Sequence, residues 1–289
     1  MRRVLSIDGG GVLGLMAAKF LATHPHLYRG CDLVCGTSTG GLVALALAAG
    51  LSPMQIVRLY QDRGPDIFKK SRFLTWPLFR ERYSAKPIEG ALRDVFGDRR
   101  LDEVSEPRLL ITAVDYNRSR PEHAMYFFRN ESEYTFFDAA RATSAAPTYF
   151  KPYVLGDRAW VDGGLVANNP ADCALVEAIR LWGGKERIHI VSIGCGVQPE
   201  EPPTRVTRAP WTYLDDIISV GIGGGVGRVN TLLREVADHL DGVIFDRFDF
   251  TLDHSIAMDD ASPKVLRYLE SRAADDFVTL NGKPLKAAQ

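Results

Sequence analysis

Two glycine-rich turns near the start of the chain carry the residue types of a serine hydrolase. Ser38 stands in Gly36-Thr37-Ser38-Thr39-Gly40, between an apolar run that predicts a strand and another that predicts a helix. A strand, a sharp turn and a helix in this order are typical of a nucleophile elbow, in which a serine hydroxyl points outward from a strained backbone position. This pattern predicts that Ser38 is a nucleophile. It also accounts for the flanking glycines, since a side chain at Gly36 or Gly40 would crowd such a turn.

The earlier turn, Asp8-Gly9-Gly10-Gly11, follows a predicted strand at 4–7 and opens a helical pattern over 12–21. Backbone N–H groups at the start of a helix have no intrahelical acceptor and can bind an anion. In an acyl-transfer enzyme such groups stabilise the oxyanion of the tetrahedral intermediate. The pattern predicts that role here.

A nucleophilic serine needs a base, and the chain offers two kinds of candidate. Asp162 ends a short apolar segment and precedes two glycines, a context that is also common for an ordinary turn aspartate. The Ser, Asp, His order of α/β-hydrolases would instead permit His239 or His254. His239 lies on a helical pattern, His254 has no distinctive context, and His189 alternates within a strand and is expected in the core.

The elements that must position these residues alternate between strands and helices. Further strands are predicted at 31–35, 109–114, 124–128, 188–193 and 243–250, and helices at 53–61, 171–182 and 213–240. This alternation predicts an α/β fold with a mostly parallel central sheet flanked by helices. We expect one domain over 1–289, with a helical C-terminal portion at about 211–289. The glycines at 223–225 lack the Lys-Ser/Thr ending of a P-loop, which favours a bend or close helix packing.

Four motifs in this order resemble the patatin-like phospholipase family: Asp8-Gly9-Gly10-Gly11, residues 36–40, Ser144-Ala145-Ala146-Pro147 and Asp162-Gly163-Gly164. The resemblance implies a patatin-like three-layer sandwich and a phospholipase A or lysophospholipase type of lipid acyl hydrolase. It assigns Ser38 as nucleophile, Asp162 as base, and Gly9, Gly10 and Gly11 as oxyanion donors. It implies that residues 144–147 form a supporting loop, and that neither a metal nor a cofactor is needed.

One position departs from the family pattern. Many members carry Arg or Lys where this chain has Leu13, a position that would help to hold the oxyanion loop or a phosphate group. The dyad does not depend on this residue, whereas binding of a charged headgroup in the usual manner does.

Composition excludes several classes of protein. The 35 Lys and Arg residues nearly balance the 36 Asp and Glu residues, so no global field favours a nucleic-acid polymer as partner. The longest apolar run, 42–49, is far shorter than the roughly 20 residues of a membrane span. Four cysteines without metal-site spacing predict buried free thiols and a cytoplasmic setting.

The segment 68–83 interleaves aromatic residues with cations, a mixture that suits a lipid interface. We therefore expect peripheral membrane contact through a lid or flap at 68–83. The alternative is a loop whose aromatics complete the core while its cations stay solvated.

Two other functions remain open from sequence alone. One is a Ser-His-Asp esterase that acts on soluble substrates and requires an essential histidine. The other is a phosphate- or nucleotide-binding protein that uses the Asp8–Gly11 loop, which would leave Ser38 and Asp162 without a role. Some bacterial members of the family that the chain resembles are regulated membrane-degrading effectors, but no residue identifies an activating small molecule.

Overall fold

The computed structural model describes residues 1–69, 81–116, 124–199, 210–273 and 278–279, with side chains omitted at 210–217 and 278–279. Nine strands form one sheet in the order β5-β6-β3-β2-β1-β7-β8-β9, with β4 paired to β3 outside this path. The strands are β1 Arg2–Ile7, β2 Leu33–Thr37, β3 Arg108–Asp115, β4 Met125–Phe128, β5 Tyr153–Leu155, β6 Arg158–Asp162, β7 Ile188–Ile193, β8 Val243–Asp249 and β9 Val278–Thr279.

The five central strands β3, β2, β1, β7 and β8 are parallel, and the outer pairings of β4, β5, β6 and β9 are antiparallel. The helices are α1 Gly14–Thr23, α2 Thr39–Ala48, α3 Pro53–Ile67, α4 Lys86–Phe96, α5 Phe136–Thr143, α6 Gly164–Ala167, α7 Ala171–Trp182, α8 Pro210–His239 and α9 Pro263–Arg272. The predicted α/β fold with a mostly parallel central sheet is confirmed.

Each face of the sheet has its own hydrophobic core. Leu5 and Ile7 of β1 face a large core shared with α1 to α5 and α9, whereas Val4 faces a smaller core shared with α7 and α8. Successive side chains of a strand point to opposite faces, so a strand that is apolar at consecutive positions must be covered on both sides. This explains why the apolar runs within β2 and β3 are continuous rather than alternating.

The pairing around β3 decides where the two halves of the candidate dyad meet. β2 pairs with β3 up to Thr112, which lies opposite Thr37. β6 pairs with β3 from the next residue onward, with Ala113 opposite Asp162. Residues 111–114 of β3 also pair with β4. Since a strand has only two edges, β2 and β6 must occupy the same edge of β3, one after the other. The end of β2 is thereby placed beside the end of β6.

Several elements differ from the sequence prediction. Helices α4 and α5 were not predicted, and α3 continues to Ile67 rather than ending near residue 61. α5 has only eight residues and buries Asp138 and Arg141, which hides its helical periodicity. Its sequence signal is instead the capping box between Thr135 and Asp138.

The glycine-rich part of α8 is continuous helix. A Cβ added at any of its five glycines would meet no described atom within 4 Å; these are Gly221, Gly223, Gly224, Gly225 and Gly227. Among the described atoms, therefore, nothing packs closely against these glycines, and the prediction of close helix packing finds no support there. The C-terminal portion also contains strand β8 at Val243–Asp249, as the late apolar run predicted. No helix within the described ranges combines the length and hydropathy that would let it cross a membrane.

Candidate active site

Ser38 occupies the turn between β2 and α2 with φ 53° and ψ −125°. This left-handed conformation strains any residue other than glycine and is typical of functional turns. A Cβ at Gly36 would overlap the backbone of Gly40, and one at Gly40 would overlap the carbonyl of Ile7. The Ser38 N–H donates to the Thr143 hydroxyl at 2.8 Å, which fixes the turn from α5.

Asp162 lies at the end of β6, directly against this serine. The Ser38 hydroxyl donates to Asp162 Oδ2 at 2.6 Å, and the Gly164 N–H donates to Asp162 Oδ1 at 2.7 Å. The Asp162 N–H donates to the Ala145 carbonyl at 3.0 Å, so the 144–147 segment also holds the end of β6. Both dyad candidates are thus brought together, and each is fixed by a neighbouring loop or helix.

Burial changes the acid–base chemistry of this carboxyl group. Asp162 is 5% exposed, and its burial raises its pKa from 3.8 to about 6, against the lowering effect of the hydrogen bonds from Ser38 and Gly164. The ordinary pKa would make it a weak base at neutral pH, and a general base works best when its pKa lies near the working pH. Asp162 is therefore both within reach of the Ser38 proton and better matched to accept it.

The glycine turn supplies donors on the other side of Ser38. Within the described part of the chain, the N–H groups of Gly10 and Gly11 have no acceptor, and both residues border the same cavity as Ser38. The N–H of Gly9 donates to the Asn168 carbonyl at 3.0 Å. Gly10 and Gly11 are therefore the candidate oxyanion donors, and Gly9 ties the turn to Asn168 instead.

Neighbouring residues fit closely around these glycines. A Cβ at Gly10 would overlap Cys195, and one at Gly11, which has φ 59°, would overlap Met258. The Val12 N–H donates to the Met258 carbonyl at 2.8 Å. Sequence reasoning missed Cys195 and Met258, because both are distant in the chain and neither has a motif.

A cavity of about 220 Å³ opens beside the dyad. Ser38, Asp162, Gly10 and Gly11 border one part of it, and the rest is mainly apolar. The apolar lining comes largely from α2, α3 and α4, including Leu42, Ala46, Ile56, Leu59, Ile67, Ile88, Leu92, Val95 and Phe96. Leu42 and Ala46 follow Ser38 by four and eight residues on one face of α2, which corresponds to about 6 and 12 Å along the helix axis.

Comparison with known proteins connects this geometry to a family. The profile of the Patatin family, described as patatin-like phospholipase, matches residues 5–175. A cGAMP-activated phospholipase of Escherichia coli (strain TW11681) is 30% identical over 314 aligned residues, covering 93% of this chain and 87% of that protein. The chain belongs to the patatin-like phospholipase family. The family predicted from the four motifs is thus confirmed.

Other patatin-like relatives align over less of their own length. Human calcium-independent phospholipase A2-gamma is 29% identical to this chain. The alignment covers 93% of this chain and 37% of the human protein. A cGAMP-activated phospholipase of Vibrio cholerae is 33% identical to this chain. That alignment covers 62% of this chain and 58% of the Vibrio protein. Among solved structures, VipD from Legionella pneumophila has a TM-score of 0.48 at 13% identity, covering 94% of this chain and 64% of that one.

The histidine alternative finds no support in this patatin-like site. No histidine within the described ranges borders the cavity. His239 is exposed on α8, and His254 lies against the Tyr268 ring with centroids 4.9 Å apart. His189 is only half-buried, not a core residue as predicted, and its Nε2 lies 2.7 Å from Asp246 Oδ2.

The expected flap falls mostly on residues 70–80, which lie outside the described part of the chain, so it stays a prediction. Its two flanks are described. Phe68 borders the cavity and packs edge-on against Tyr83, with ring centroids 5.6 Å apart, and both rings contact Phe150. At the flanks, therefore, Phe68 forms part of the cavity wall and Tyr83 packs against it.

Proposed function

We propose that this protein is a lipid acyl hydrolase that cleaves carboxylic esters of phospholipids through an acyl-Ser38 intermediate. The observation that carries the proposal is the 2.6 Å hydrogen bond from Ser38 to Asp162 beside a mainly apolar cavity. The names of the patatin-like relatives, which are phospholipases, support the same class of substrate.

In the first half of the reaction, the Ser38 oxygen attacks the ester carbonyl carbon while its proton passes to Asp162. The carbonyl oxygen becomes an oxyanion that the N–H groups of Gly10 and Gly11 stabilise. One such donor contributes roughly 3 kcal/mol of transition-state stabilisation in comparable hydrolases. The intermediate then collapses, the C–O bond to the alcohol breaks, and Asp162 returns the proton to the leaving alcohol.

In the second half, a water molecule attacks the acyl-Ser38 carbonyl and gives its proton to Asp162. Collapse of the second tetrahedral intermediate releases the fatty acid, and Ser38 recovers its proton. The acyl chain is the part of the substrate that the cavity suits, because the lining from α2, α3 and α4 is apolar and burying each methylene contributes about 0.8 kcal/mol.

Location and regulation form a second part of the proposal. We infer a cytoplasmic protein with peripheral membrane contact, which the four free cysteines and the lipid substrate support. Two relatives are named as cGAMP-activated, so we also infer that a small molecule of this kind activates the chain.

The test mixes phospholipid vesicles with the purified protein, with and without cGAMP, and measures free fatty acid by mass spectrometry. Wild type and the control Ser271→Ala, which alters an exposed serine on α9, should release fatty acid. Ser38→Ala and Asp162→Asn should not. Release that survives both substitutions would overturn the dyad, and hydrolysis of soluble esters alone would overturn the lipid substrate.

A further inference from the structure

Three consecutive glycines cannot fix their own position through side chains, since glycine is the most conformationally free residue. The turn at Gly9–Gly11 must therefore be held by its neighbours if its N–H groups are to stabilise an oxyanion. Leu13, two residues after the turn, is buried and apolar, so it offers no charge to the turn.

A buried cation reaches the turn from a different strand. Arg247 of β8 donates from Nη1 to Asp8 Oδ1 at 2.9 Å and from Nη2 to Asp8 Oδ2 at 2.6 Å. Asp8 is the residue directly before Gly9, and both side chains are nearly inaccessible to solvent, at 1% and 3% exposure. Two parallel bonds between a guanidinium and a carboxylate fix the carboxylate in orientation as well as in position.

The same guanidinium is itself held on two further sides. Arg247 Nη1 donates to Ser192 Oγ at 2.8 Å, and Nη2 donates to Asp249 Oδ2 at 2.7 Å. Asp249 Oδ1 in turn accepts the Gly196 N–H at 3.0 Å, next to Cys195, the residue that packs against Gly10. The network therefore holds both the residue before the turn and the loop that lies against it.

We propose that Arg247 is a positioning residue that fixes the oxyanion turn through Asp8. The inference rests on the proposed function, because it assigns the turn its role in acyl transfer. The family profile matches residues 5–175, so the match does not extend to Arg247 or to its contact with Asp8. In this chain β8, which follows the matched region, thus supports the site through Arg247.

The test compares wild type with Arg247→Lys, which keeps the charge but loses the bidentate geometry. Arg141→Lys is the matched control: Arg141 is also nearly inaccessible and paired, to Glu89 at 3.1 Å, but lies on α5. Thermal melting by circular dichroism checks that each variant folds. If Arg247→Lys does not fold, Asp8→Asn takes its place, since it keeps the shape of the side chain and leaves Arg247 paired to Asp249.

Two inhibitors separate positioning from general damage. An alkyl trifluoromethyl ketone places a negative oxygen in the oxyanion site when Ser38 adds to it, whereas the matching secondary alcohol fills the cavity without forming an oxyanion. In Arg247→Lys we expect ketone affinity and kcat on p-nitrophenyl butyrate to fall together by about 10- to 100-fold, short of the full loss of a donor. Alcohol affinity and KM should stay within about twofold, because neither depends on the oxyanion. Arg141→Lys should keep the wild-type ratio of the two affinities.

Unchanged ketone affinity in a folded Arg247→Lys would overturn the positioning role, and so would an equal loss of ketone and alcohol affinity. Wild type that neither hydrolyses the ester nor binds the ketone, with or without cGAMP, would overturn the proposed function, and this inference with it. If wild type hydrolyses the ester and binds the ketone, and Arg247→Lys does so equally well, only the inference about Arg247 is overturned.

Discussion

Replacing Asp162 by Asn should abolish activity and at the same time stabilise the fold at neutral pH. The reason is that the folded protein holds this carboxyl group where its charged form is disfavoured. Burial raises the Asp162 pKa from 3.8 to about 6. Each unit of pKa corresponds to about 1.4 kcal/mol, so ionising Asp162 in the folded state costs about 3 kcal/mol more than in the unfolded chain.

The sign follows from which state loses its proton first. Below about pH 3 the carboxyl group is protonated in both states and this term is absent. Between about pH 3 and 6 the unfolded chain releases the proton while the folded protein retains it, so the wild type loses stability as the pH rises. Above pH 6 the loss is complete. The asparagine of the Asp162→Asn variant has no proton to release, and its amide can still accept from Gly164 and donate to Ser38.

Thermal or urea unfolding of both proteins from pH 4 to pH 8 measures this effect. The free energy of unfolding of Asp162→Asn minus that of wild type should become more positive by about 2.5 kcal/mol from pH 4 to pH 8, or about 5 °C in Tm. Comparing pH values cancels any pH-independent effect of the amide. Asp157→Asn, which removes an exposed carboxylate in the β5–β6 turn, controls for net charge. A difference that is flat with pH, or that becomes more negative, would refute the argument.

Three further predictions follow from the site. Wild-type kcat/KM should rise with pH through about 6 and then level off, because Asp162 must be ionised to accept the serine proton; a profile flat from pH 5 to 8 would contradict this. Ala46→Phe should shift hydrolysis towards shorter acyl esters by filling the cavity about 12 Å along α2 from Ser38, as a chain-length series would measure. Thr143→Val should lower the free energy of unfolding by about 1–3 kcal/mol in urea titrations, because the Ser38 N–H loses its acceptor; an unchanged midpoint would argue against that bond.

Sequence reasoning reached the central strands and the dyad candidates because their signals are local. The apolar runs within β2 and β3 are continuous, and those within β1 and β7 nearly so, which is the pattern of parallel strands covered on both faces. β8 begins with three consecutive apolar residues, Val243-Ile244-Phe245. Ser38 and Asp162 each stand in a glycine-flanked turn at the end of such a run. A strand end followed by glycine is readable from neighbouring residues alone.

The supports of the site could not be read in the same way. Thr143, Asn168 and Arg247 each contact a residue more than 100 positions away: Ser38, Gly9 and Asp8 respectively. Their residue types are ordinary, and no spacing rule connects them to a motif. Arg247 stands within a predicted strand, where an inward-facing charge has no sequence signature until its acidic partner is known.

The register at β3 gives a physical reason why two residues can serve where a triad uses three. In a triad a histidine takes the serine proton and passes it to the leaving group, while the carboxylate stays ionised and orients the imidazole. Here β6 takes over the edge of β3 at the residue after β2 ends, so the carboxylate itself arrives within 2.6 Å of the Ser38 hydroxyl. Burial removes water from Asp162 and raises its pKa toward the working range of a base, against the lowering effect of the Ser38 hydrogen bond. The shared strand edge thus accounts for the contact, and burial accounts for the basicity.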